Sequence, residues 1–101
     1  DNTDQIKTTR LDRFAVQVFS DAMRPQFQED SLLIVSPCKN IKNRDYVIVY
    51  IDQTKDIIFR QFFSDGSFKL LRAINEIFPV VSLGDKDVIL GKVTQAIRNY
   101  I

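Results

Sequence analysis

Histidine and tryptophan are absent from the 101 residues, and cysteine and methionine occur once each. Without histidine, no Ser-His-Asp triad, Cys-His pair or histidine-rich zinc site can be assembled within the chain. The single Cys38 excludes an internal disulfide and a cysteine metal cage, and a lone thiol fits a reducing compartment. No metal and no cofactor is expected. An excess of one charge is missing as well: 14 basic and 13 acidic side chains leave +1, too little for bulk attraction to nucleic acid or a membrane surface. No apolar run approaches the ~18–20 residues of a bilayer span, and no signal-peptide pattern opens the chain. The expectation is a soluble, cytoplasmic domain with no membrane partner. The chain starts at Asp1 rather than Met, which reads as a fragment of something longer.

What is present is ordinary for one globular core: 45% hydrophobic and 27% charged residues on a chain of single-domain length. The dominant period is two. Phe14, Val16 and Val18 alternate with Ala15, Gln17 and Phe19, while Leu32–Val35 and Tyr46–Ile51 are short apolar runs bounded by turn residues. Runs of that length suit strands buried on both faces. Ile57–Phe63 and Phe68–Leu71 flank Ser64-Asp65-Gly66-Ser67, a hairpin signal. Asp87–Ile97 reads as a last strand, with Gly91 marking a bulge or a close backbone approach. Pro25, Pro37 and Pro79 fall between these strands. The polar residues 1–13 read as a linker or lead-in, and 14–101 as the domain. The pattern predicts a mostly β fold, an irregular barrel or sandwich of about seven short strands with little helix.

Phe19-Ser-Asp-Ala-Met-Arg-Pro-Gln-Phe-Gln-Glu-Asp-Ser-Leu-Leu-Ile-Val-Ser-Pro37 resembles the peptidase domain of LexA and phage repressors, whose pattern is Ser-Met-x-Pro, an acidic turn and an apolar strand. Three further stretches are similar to that family's in the same order: Asn43–Val49, Leu71–Pro79 and Val88–Val93. The family uses a Ser-Lys dyad, in which a serine attacks a peptide carbonyl and a lysine kept neutral by burial takes its proton. The resemblance puts the nucleophile position at Ala22 and the base position at Arg60. A methyl group cannot attack a carbonyl, and a guanidinium stays protonated. Shifting the alignment by one brings Phe59 or Gln61 to the base position, and neither is a base. The resemblance therefore implies a serine-peptidase fold without its dyad, a pseudo-peptidase, with Ser20, Asp21, Met23 and Pro25 as cleft neighbours. A rewired Ser20–Lys69 dyad is disfavoured, and Lys55 lies toward the far end of its hairpin arm. Arg60 is either half-buried against a carboxylate such as Asp21 or a backbone carbonyl, filling the space of the missing dyad, or it is an exposed edge residue.

The resemblance implies a C-terminal dimerisation and regulatory domain of a repressor-like transcription regulator, inactive for self-cleavage and encoded by a bacterium or phage. DNA would be met only through an N-terminal helix-turn-helix domain absent from this chain. Lys39, Lys42 and Arg44 read as a solvated turn rather than a DNA-binding loop, and Cys38 as a small filler. Of Phe62, Phe63, Phe68 and Phe78, most are expected in the core. Ala96, Ile97, Arg98, Tyr100 and Ile101 are the candidate homodimer interface. Competing readings are a self-cleaving domain trapped by an engineered serine-to-alanine change, a UmuD-like accessory module with a recombinase or polymerase partner, and a signal-peptidase-like enzyme. The last is disfavoured because the chain has neither dyad nor membrane segment.

Overall fold

The computed structural model describes residues 13–28, 30–37 and 40–98, and among these it contains strands and turns but no helix. The strands are β1 (Phe14–Gln17), β2 (Leu32–Ser36), β3 (Tyr46–Ile51), β4 (Asp56–Asp65), β5 (Phe68–Arg72), β6 (Val81–Ser82) and β7 (Val88–Ile97). They form one antiparallel sheet in the order β1-β2-β7-β3-β4-β5-β6. The all-β fold read from the period-two pattern is thus a single sheet. Because β7 inserts between β2 and β3, the central strands are far apart in sequence. No helix among the described residues is long and apolar enough to cross a membrane.

The sheet carries a core on each face. Leu33, Val35, Ile48 and Phe59 join Val18 and Met23 in one buried cluster, while Val47, Val49, Phe62 and Leu71 form the other. The alternation of Val47, Ile48 and Val49 between these clusters is the two-sided burial that an uninterrupted apolar run encodes. Both ladders of β7 slip by one residue, between Ile34 and Val35 on β2 and between Ile48 and Val49 on β3. Bulges bend a strand and sharpen its twist. Here they coil the sheet until β1, four ladders from β4, lines the same cleft as β4.

Gly91 sits at the bend. A Cβ there would lie 2.6 Å from Val35 Cγ1 and 2.8 Å from the Ser36 carbonyl oxygen, so both the bulge and the close approach that its position implied are present. The β4–β5 connection is a two-residue turn, Asp65 pairing with Phe68, and Gly66 takes φ +62° at its first central position. That is the glycine-first arrangement of a type II′ turn, with Gly66-Ser67 rather than Asp65-Gly66 at the centre. β4 extends beyond the Ile57–Phe63 apolar run at both ends, and β6, at two residues, leaves no periodicity in the sequence. Phe62 is buried and Phe63 half-buried, but Phe68 is 70% exposed, contrary to the expectation that most of these rings enter the core. The β4–β5 tip extends past both clusters, so its last ring has nothing to pack against.

The turn into β7 is held by Asp87. Its Oδ1 accepts the Asp52 N–H at 2.9 Å and its Oδ2 the Gly84 N–H at 2.7 Å. These two donors hold the carboxyl below the usual carboxylate range. A depressed pKa means stability that is present above the unfolded value and is lost as pH falls through the folded one. Chemical-denaturation midpoints are accordingly expected to drop below the ordinary aspartate pKa, and the Asp87→Asn variant to show a smaller drop. Gly91→Ala is expected to cost about 1–3 kcal/mol in urea unfolding, since the Ser36 carbonyl is backbone and cannot rotate away.

Candidate functional site

After Gln17 the chain leaves the ladder, with the Val18 N–H still donating to the Ser31 carbonyl at 2.9 Å. A compact turn follows: the Arg24 N–H donates to the Asp21 carbonyl at 3.2 Å and the Phe27 N–H to the Met23 carbonyl at 2.9 Å. The Arg24–Pro25 peptide is cis. Ala22 and Met23 are each only 1% exposed, so this turn is core rather than surface. The Phe27 ring packs edge-on against Tyr46 at 4.8 Å and Phe59 at 4.9 Å, and the Asn75 backbone N–H donates to the Ala22 carbonyl at 2.8 Å. The Asn75 side chain reaches the Asp21 carbonyl at 3.4 Å and accepts the Ile77 N–H at 3.3 Å. Asn75 thus pins the Ala22 turn to the loop after β5.

Between this turn and the outer half of β4 lies a cleft of about 280 Å³. Its lining includes Val16, Phe19, Ser20, Ala22, Phe59 and Arg60, with Met23, Leu33 and Ile48 beneath, and among the described residues it contains no lysine, aspartate or glutamate. Ser20 Oγ accepts the Ala22 N–H at 3.1 Å. Lys55 lies in the β3–β4 turn, bound to Asp52 at 3.1 Å, and Lys69 is exposed on β5 opposite Ser64, so neither lysine meets Ser20. Among the described residues, no group of three or more Cys, Asp or Glu side chains could hold a metal ion.

Phe59 and Arg60 share the cleft from opposite faces of β4. Phe59 pairs with Ile48 and packs in the Met23 cluster, whereas Arg60 pairs with Val47 on the other face. The Arg60 guanidinium is turned so that Nη1 donates to the Phe59 carbonyl at 2.8 Å and the group lies 5.5 Å over the Phe78 ring. Its Nε is buried without a partner, and among the described residues it makes no ion pair, with Asp21 or any other acid. Burial without a counter-charge pulls its pKa below the ordinary arginine value, yet arginine remains a cation in proteins.

The sequence matches the Peptidase S24-like family over residues 3–94. The chain belongs to that family. Within it, the chain is 27% identical over 92 residues to the HTH-type transcriptional regulator for conjugative element R391 of Providencia rettgeri, covering 86% of this chain and 43% of the regulator. The regulator for conjugative element SXT of Vibrio cholerae matches to the same extent. An uncharacterized HTH-type transcriptional regulator of Coxiella burnetii is 32% identical over 83 residues, covering 79% of this chain and 38% of that protein. The chain spans about two-fifths of the length of these relatives.

The S24-like chain brings Ser20, Ala22, Met23 and Arg60 to one cleft, while Pro25 is exposed and Asp21 half-buried in the adjoining turn. Phe59 is the cleft side chain that the motif reading passed over. Strand alternation was the available signal, since odd-numbered residues of β4 face the Ile48 cluster. Lys42 and Arg44 are exposed in a turn where Asp45 Oδ2 accepts the Lys42 N–H at 2.8 Å and lies 3.6 Å from Lys92 Nζ. Ala96, Ile97 and Arg98 are exposed at the end of β7; Cys38, Lys39, Tyr100 and Ile101 lie outside the described residues. Asn75→Ala removes the side-chain bonds of the clamp and is expected to lower stability by about 1 kcal/mol in chemical denaturation. Exchange of the Phe27 amide should accelerate, because that N–H is held by the clamped turn.

Proposed function

We propose that this S24-like chain is the C-terminal regulatory and dimer-forming domain of a repressor-like transcription regulator and that it does not cleave itself. The observation that carries this reading is the chemistry of the cleft, where a methyl group stands at Ala22 and, among the described residues, no lysine lines it. Whether the base position is assigned to Arg60 or, one residue earlier, to Phe59, the result is the same: a permanent cation or a phenyl ring cannot accept a serine proton. The HTH-type names of the relatives support a regulator whose DNA contact is made by a separate helix-turn-helix segment, acting in the cytoplasm of a bacterium.

Dimerisation is supported by exposed apolar side chains at the end of β7. Ile97 lies opposite Leu32 of β2, and both are exposed, at 43% and 39%. They offer a patch that a two-fold axis would bury against itself, while Ala96, the neighbour of Ile97 on β7, faces the other side of the sheet. Pairing two copies would hold two DNA-binding segments about one helical turn apart and raise operator affinity through effective concentration.

Sedimentation equilibrium tests this reading. The chain is expected to be a dimer at tens of micromolar, and Ile97→Asp to shift it to monomer with an unchanged circular-dichroism spectrum. It is expected to show no salt-sensitive DNA affinity of its own. A wild-type monomer at that concentration contradicts the dimer-forming role.

A further inference from the structure

The outer half of β4 is a strand edge. Its ladder with β5 covers only Gln61–Asp65, so among the described residues Asp56–Arg60 are paired on the β3 side alone. Phe62 directs both its N–H and its carbonyl toward that side, bonding Asp45 and Arg44. By antiparallel alternation, the backbone groups of Phe59 and Ile57 point the other way. A bare edge accepts any extended chain that offers complementary N–H and carbonyl groups. Natural sheets close such edges with charged side chains, bulges or covering loops.

Arg60 is placed to close this one. Its Nη1 donates to the Phe59 carbonyl at 2.8 Å, which is an acceptor that an added strand would need. The guanidinium is kept there by Phe78, whose ring centroid lies 5.5 Å away. Phe78 is fixed in turn: its N–H donates to the Asn75 carbonyl at 3.1 Å, and Asn75 is bound to the Ala22 turn. For stability alone the placement is unfavourable. The side chain is half-buried, Nε has no partner, and no acid among the described residues compensates the charge. An arginine on an open edge could instead extend its charged head into water. A conformation that forgoes solvation and covers one carbonyl is explained by what it excludes.

We infer that Arg60 is an edge guard: its guanidinium holds the Phe59 carbonyl and so keeps extended segments, including the β4 edge of a second copy, from adding to the sheet. Association is then confined to other surfaces, such as the end of β7, as negative design requires. This inference deepens the proposed function and rests on it, because a cleft without catalysis has no substrate strand to admit.

The test is a fluorescence-anisotropy titration of the full chain with a labelled, end-blocked and uncharged peptide, Thr-Val-Thr-Val-Thr-Val-Thr, which an open edge can accept. Arg60→Ala is expected to bind it about tenfold more tightly than the wild type does, the worth of one freed hydrogen-bond acceptor. Arg60→Met, which keeps the bulk of the stem but no donor, is expected to gain equally. Asp87→Asn, destabilised at the turn into β7, is expected to gain nothing, and amide exchange of the core strands shows that all three variants are folded. Equal binding by the wild type and Arg60→Ala, including no binding by either at millimolar peptide, overturns the inference. So does a gain in Asp87→Asn, or a gain in Arg60→Ala that Arg60→Met lacks, which would make bulk the barrier. A chain that fails this comparison but remains a dimer of unchanged mass keeps its proposed function. Cleavage of the peptide by the wild type, seen by mass spectrometry, removes both.

Discussion

The close approach of β7 to β2 at Gly91 is the constraint on which the rest depends. One bulge, at Leu90, adjoins it and the other, at Thr94, lies further along β7, and with no side chain at this position Val35 and the Ser36 carbonyl can come within what would be contact distance of a Cβ. A straight ladder here would leave a flatter sheet, with β1 and β4 far apart and no cleft between them. The coil that results gives each face its own core and brings the Ala22 turn over the outer half of β4. A backbone requirement at one residue thus decides where the site lies, and the residues lining the site, Met23, Leu33, Ile48 and Phe59, belong to the core that the coil encloses.

The site is well built as a scaffold, and it is proposed not to act as a catalyst. Ala22 and Met23 are buried, the turn is closed by its own hydrogen bonds, and Asn75 ties it to the loop beyond β5. Order of this kind serves a nucleophile where one is present, but it also serves packing: Met23, Phe27 and Phe59 interlock with Tyr46. Membership of the Peptidase S24-like family explains the shape, and the residues present decide the chemistry. On the proposed reading, a domain that keeps the shape without the dyad still presents the same surfaces to other chains, and those surfaces are where the function is proposed to lie.

Much of the fold was legible because period-two apolar runs are short, separated and bounded by turns. Tyr46–Ile51 announced a strand buried on both faces, and Gly91 announced the bulge. What stayed hidden depended on partners distant in sequence. The insertion of β7 between β2 and β3 leaves no local trace, and Val81–Ser82 is too short to show a period. The motif order located Ala22 and brought Arg60 to the cleft, but it did not show that the Arg60 guanidinium turns back to the Phe59 carbonyl and the Phe78 ring. That conformation follows from the end of the β4–β5 ladder at Gln61, which leaves the Phe59 backbone open to a side-chain donor. The period of two along β4 did carry the signal that Phe59, rather than its charged neighbour, faces the Met23 cluster, but the motif order drew attention to Arg60 instead.

The claim that the cleft cannot break an amide bond stands on two missing groups, and restoring one of them is the most direct way to examine it. Ala22→Ser supplies the hydroxyl but leaves it beside a phenyl ring and a guanidinium, neither able to take its proton. Intact mass measured after prolonged incubation of the Ala22→Ser protein at alkaline pH should be unchanged. Time-dependent appearance of two fragments whose masses sum to that of the parent plus one water would contradict the account, because it would show that a working base is still in place.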